Sequence, residues 1–124
     1  MMTRKTASTF AAFSLAVAAM LSGQAMAHAK LVKADPADGG VAKAGASDID
    51  LAFSEEISGK MSGAVITDAA GRTVPSAAMM EKDPKVMMVM TKTPLAPGAY
   101  TVTWHAVASD DGHKTTGVYS FTVK

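Results

Sequence analysis

From residue 28 onward, apolar and polar positions alternate in short bursts separated by turn residues. Ala29 to Ala34 reads as a first strand, broken by Asp35-Pro36-Ala37-Asp38-Gly39-Gly40. Ile49, Leu51 and Phe53 alternate with Asp48, Asp50 and Ala52, the two-residue period of a half-buried strand. Ala64 to Thr67 is another, closed by a turn at Asp68-Ala69-Ala70-Gly71. Arg72 to Ala77 predicts a short edge strand, because Pro75 lacks the N–H that a central ladder needs. Val86 to Thr91 is a strand. Tyr100, Val102 and Trp104 alternate with Thr101, Thr103 and His105. Val118 to Val123 ends the chain, with Tyr119, Phe121 and Val123 on one face. No ten-residue stretch carries a helical period.

About seven strands in so short a segment predict an all-β fold, a seven-stranded Greek-key β-sandwich. Pro97-Gly98-Ala99-Tyr100 is a turn followed at once by a Tyr that opens an alternating strand, the pattern of a tyrosine corner. Trp104 then falls between the sheets. Strand direction alternates in such a fold. A sixth strand over Tyr100 to Val107 therefore ends at the pole where the first begins, which brings the loop Ala108 to Gly117 beside His28.

The first 27 residues follow a different rule. Arg4 and Lys5 precede an apolar run from Phe10 to Leu21, and Ala25-Met26-Ala27 is a small-x-small cleavage site. The run is shorter than the ~20 residues a spanning helix needs, so it predicts a cleaved export signal, residues 1–27, and no stable membrane anchor. The domain is then residues 28–124. Cleavage removes Arg4 and Lys5 and turns the formal charge of the whole chain, +1, into −1. No basic patch is left to suggest nucleic acid. Four of the ten methionines leave with the signal. The absence of cysteine excludes disulfides and thiolate metal sites.

Cleavage after Ala27 also makes His28 the first residue. A terminal histidine offers its α-amine and imidazole Nδ1 to one metal ion as a chelate. Asp111-Gly112-His113 adds a carboxylate and a second imidazole on one tight loop, and Gly112 lets that loop curl. Three nitrogens and one oxygen, without sulfur, suit tetragonal Cu(II). Asp110 can replace Asp111 or act on an imidazole N–H. Alternate positions on an extended loop share a side, which favours Asp111. His105 is opposite in parity to Trp104 and reads as an outward-facing sheet histidine.

Met79, Met80, Met87, Met88 and Met90 fall close together. Thioethers are soft ligands for Cu(I). Met87 and Met88 face opposite sides of their strand, so one parity fills the core. The other, with Met79-Met80 in a loop, is the candidate for a loose Cu(I) site. No phosphate-binding loop, metalloprotease helix or nucleophile elbow is present.

Several of these markers coincide with one family. His28 as first residue, Phe53-Ser54-Glu55, Pro97-Gly98-Ala99-Tyr100 leading to Trp104, and Ser109-Asp110-Asp111-Gly112-His113 together resemble the CopC-type periplasmic copper resistance proteins. The resemblance runs from His28 to Lys124. It implies a cupredoxin-like or Ig-like Greek-key barrel, with Cu(II) held by the His28 amine and imidazole, Asp111 and His113. It implies copper sequestration or delivery in the periplasm, often paired with a CopD-type inner-membrane copper transporter; a monomer without catalytic activity is expected. Some members hold Cu(I) in a mid-chain loop of methionines with one histidine. Ile66 to Ala78 contains neither residue, so a Cu(II)-only member is expected. The alternative is a copper-dependent polysaccharide oxygenase-like enzyme, which also uses an N-terminal histidine but needs an open coordination position and a flat aromatic face.

Overall fold

The structure, a computed structural model, describes residues 28–124. The export signal expected over residues 1–27 lies outside the described residues. Nine strands follow in chain order: β1 (Leu31–Asp35), β2 (Val41–Ala42), β3 (Asp48–Phe53), β4 (Gly63–Asp68), β5 (Thr73–Val74), β6 (Ser76–Met80), β7 (Val86–Thr91), β8 (Gly98–Val107) and β9 (Lys114–Val123). They form two sheets, ordered β1-β3-β7-β6 and β2-β9-β8-β4-β5. Among the described residues no helix is long and apolar enough to cross a membrane.

The sheets pack because one parity of each strand is apolar. Ile49, Leu51 and Phe53 of β3, Met87 and Val89 of β7, Val102 and Trp104 of β8, and Phe121 and Val123 of β9 are all buried. Each such side chain contributes roughly 1.5–3 kcal/mol by leaving water. Trp104 packs edge-on against Phe53 across the core, ring centroids 5.3 Å apart. Tyr100 Oη donates to the Ala96 carbonyl at 2.7 Å, closing the tyrosine corner.

The count of seven strands is corrected to nine. The expected edge strand Arg72 to Ala77 is two strands in two different sheets. Thr73 and Val74 pair with β4, while Ser76 to Met80 crosses to pair with β7. Pro75 sits at the switch, where its missing N–H interrupts no ladder. β2 is the other addition, two residues paired parallel with the end of β9. Met79 and Met80 lie in β6, not in a loop. The connection after β8 is also shorter than Ala108 to Gly117. β8 and β9 stay paired down to Val107 and Lys114, leaving a tight hairpin tip of residues 108–113.

Candidate metal centre

The hairpin tip and the start of the described chain meet at one pole. Ala29 is fully buried, and its carbonyl accepts a 2.7 Å hydrogen bond from the Thr115 hydroxyl at the root of β9. On the other side the N–H of Ser54, just past β3, donates to the Lys30 carbonyl at 2.8 Å. The Ser54 hydroxyl accepts from the Lys30 N–H at 2.9 Å and donates to the His28 carbonyl at 3.5 Å. The backbone around His28 is thus tied to both sheets.

The tip itself is set by its own backbone. Ala108 N–H donates to the His113 carbonyl at 2.9 Å, and Gly112 N–H to the Ala108 carbonyl at 3.0 Å. Gly112 adopts φ 71°, the left-handed region a side chain resists. Asp111 Oδ1 accepts from the His113 N–H at 3.0 Å, and Asp111 Oδ2 lies 3.1 Å from His113 Nδ1. These bonds hold the Asp111 carboxyl below the usual carboxylate range. The backbone bond is the main cause, then the side-chain bond to His113, with smaller help from the charges of His113 and His28.

Across the pole the His28 and His113 rings meet edge to face, centroids 4.5 Å apart and planes at 69°. His28 Nδ1 is buried and has no hydrogen-bond partner among the described residues. Asp111 is bonded to His113 and acts on His28 through its field. Among the described residues no three His, Asp or Glu side chains already surround one point closely enough to hold an ion. Two imidazoles converge, and the carboxylate stands behind one of them.

The remaining candidates separate. Asp110 lines a cleft of about 420 Å³ with Glu55, Glu56 and Lys85, which neither Asp111 nor His113 lines. His105 pairs with Thr116 and Gly63 on β8, the central strand of the five-stranded sheet, with parity opposite to the buried Trp104. Sequence reasoning missed the anchoring roles of Thr115 and Ser54. Ser54 stands inside the Phe53-Ser54-Glu55 marker, but its hydroxyl bonds to a backbone that only folding brings near.

A small two-sheet β-domain with two histidines and a carboxylate gathered at its open pole has the ingredients of a metal-carrying sandwich. The CopC domain family matches residues 31–124, and the chain belongs to that family. It is 38% identical over 112 residues to copper resistance protein C of Pseudomonas syringae pv. tomato, covering 85% of this chain and 87% of that one. It is 37% identical over 115 residues to the protein YobA of Escherichia coli K12, covering 91% and 92%. Among solved structures, PcoC, a methionine-rich copper resistance protein from Escherichia coli, superposes with TM-score 0.72 at 37% identity, over 79% of this chain and all of that one. CopC from Methylosinus trichosporium OB3b gives TM-score 0.72 at 31% identity, over 78% and 94%.

Proposed function

We propose that this protein is a periplasmic copper-binding protein that sequesters or carries Cu(II) in copper resistance or homeostasis, without catalysis. The observation that carries the proposal is the convergence of the His28 and His113 rings at 4.5 Å, with the Asp111 carboxylate bonded to His113. Family membership supports it, since the relatives are named for copper resistance.

The donors fit copper. His28 Nδ1 is buried and unpartnered among the described residues, so a metal there would replace no existing bond. Removal of residues 1–27 would turn the His28 amide into an amine and complete a chelate from one residue. Asp111 remains ionised and supplies negative charge beside a cation. Two imidazoles, an amine and a carboxylate favour Cu(II) over harder ions. A CopD-type transporter in the inner membrane is the proposed recipient or source.

The oxygenase reading needs an exposed aromatic face. Phe53, Tyr100, Trp104, Tyr119 and Phe121 are all buried in the core, none more than 8% exposed. The test is Cu(II) EPR with competition titration on the chain beginning at His28, beside a form with one extra residue before it. The extra residue should change the spectrum and weaken binding. An unchanged spectrum and affinity would refute the N-terminal chelate.

A further inference from the structure

The outer face of the four-stranded sheet carries a second group of potential ligands. β6 and β7 pair so that Met79 lies directly opposite Met88, and Met90 stands two residues further along β7. Residues directly opposite share a face, as do alternate residues of a strand. Met87 and Val89, of the other parity, are buried in the core. Met79, Met88 and Met90 therefore all project outward. Met79 is 50% and Met90 42% exposed. Long, flexible thioether side chains at directly opposed and diagonal positions can bring three sulfurs to one point.

The flanking strand is acidic. On its far side β7 pairs with β3, which sets Asp50 opposite Met88 and Asp48 opposite Met90, on the same outer face. Asp50 Oδ1 is out of solvent and has no hydrogen-bond partner among the described residues. Beyond it, Asp35 pairs with Asp50. Lys33 and Lys82 share the neighbouring hollow with Asp35, Asp50 and Glu81. Neutral sulfurs thus stand beside a carboxylate oxygen that has no hydrogen-bond partner among the described residues, and the carboxylates add negative charge beside a bound cation.

We propose that Met79, Met88 and Met90 form a second metal site, for a soft monovalent cation of the Cu(I)/Ag(I) class, on the outer face of the four-stranded sheet. Thioethers select such ions over Cu(II), Zn(II) and the hard divalent metals. The site is separate from the His28 pole. It also differs from a mid-chain methionine loop, since Ile66 to Ala78 contains no methionine or histidine.

Ag(I), which needs no reductant, is the probe. The chain from His28 onward, labelled at the methionine methyl groups, is titrated with silver nitrate and followed by NMR. The Met79, Met88 and Met90 methyl signals should move together and saturate at one equivalent, while those of Met61, Met80 and Met87 stay. Met61 is the control, a thioether 62% exposed outside the strands. Met61 moving in step with the three, or the three moving at separate silver concentrations, would overturn the site. The M79L/M88L/M90L variant should lose one silver equivalent and keep the Cu(II) EPR spectrum of the parent. Should that variant not fold, M88L alone should raise the half-saturating silver concentration by about tenfold or more, since losing a direct ligand costs at least as much as losing an outer partner. An unchanged titration would refute the proposal. Cu(II) EPR reads the His28 pole independently, so either site can fail without the other.

Discussion

The His28 and His113 rings meet edge to face, centroids 4.5 Å apart, although the whole of β1 to β8 lies between them in the chain. Neither strand pairing nor local sequence joins them directly. The contact exists because β8 and β9 turn back at the pole from which β1 starts.

That contact makes the two histidines unequal to the third. His113→Ala should weaken Cu(II) binding by more than the roughly 10–100-fold that follows loss of an outer partner. His105→Ala, in the middle of the five-stranded sheet, should leave it unchanged. Competition titration against a chelator of known strength distinguishes the two. Equal effects would place the metal elsewhere.

Asp111 sets a pH prediction. Its carboxyl is held below the ordinary aspartate value of 3.8 when folded, chiefly by the His113 backbone N–H. A depressed folded pKa contributes stability above the unfolded value, which is lost as pH falls through the folded one. An NMR titration of the metal-free protein should place the Asp111 midpoint below 3.8. In His113→Ala the midpoint should return only part of the way, because the largest cause is the backbone N–H at that position, which alanine keeps.

Thr115 should prove to be the anchor of the pole. Thr115→Val removes the hydroxyl that satisfies the buried Ala29 carbonyl. An unsatisfied buried acceptor costs about 1–3 kcal/mol, visible in urea unfolding. Cu(II) binding should weaken as well, since Ala29 follows His28 directly. A variant as stable as the parent would show that water takes over the carbonyl.

Tyr119 predicts an alkaline limit. Its hydroxyl is buried without a partner among the described residues, and its pKa is pushed up to about 12 by burial, then by Asp38 and Asp35. The protonated phenol is the form the fold accepts. Its contribution is complete below the unfolded value of 10.0 and is lost as pH rises through about 12. Tyr119→Phe should flatten that loss and stabilise the protein by about 1 kcal/mol at neutral pH, by removing an unpaired buried hydroxyl. A destabilised variant would reveal a hydrogen bond at Tyr119.

The β-class, the inward parity of β3, β7, β8 and β9, the tyrosine corner and the burial of Trp104 were legible along the chain. Each depends on a local rule: a two-residue period, a turn before a Tyr, a side chain too apolar to stay in water. The strand count was not. Whether Thr73-Val74 and Ser76 to Met80 form one strand or two depends on which partner lies beside each, and Pro75 only permits the switch. The place of Met79 was misread for the same reason, since an exposed edge strand and a loop look alike without the neighbouring β7.

The sequence by itself determined the alternating apolar faces and the supply of nitrogen, oxygen and thioether donors. These are properties of residue type and short spacing. The tertiary structure alone decided which donors meet. It brought His28 to His113, turned Asp111 onto His113 while Asp110 lined another cleft, and set Met79 opposite Met88. Such meetings depend on sheet order and register between distant strands. Burial of the whole core selects that register, and no short stretch of sequence encodes it.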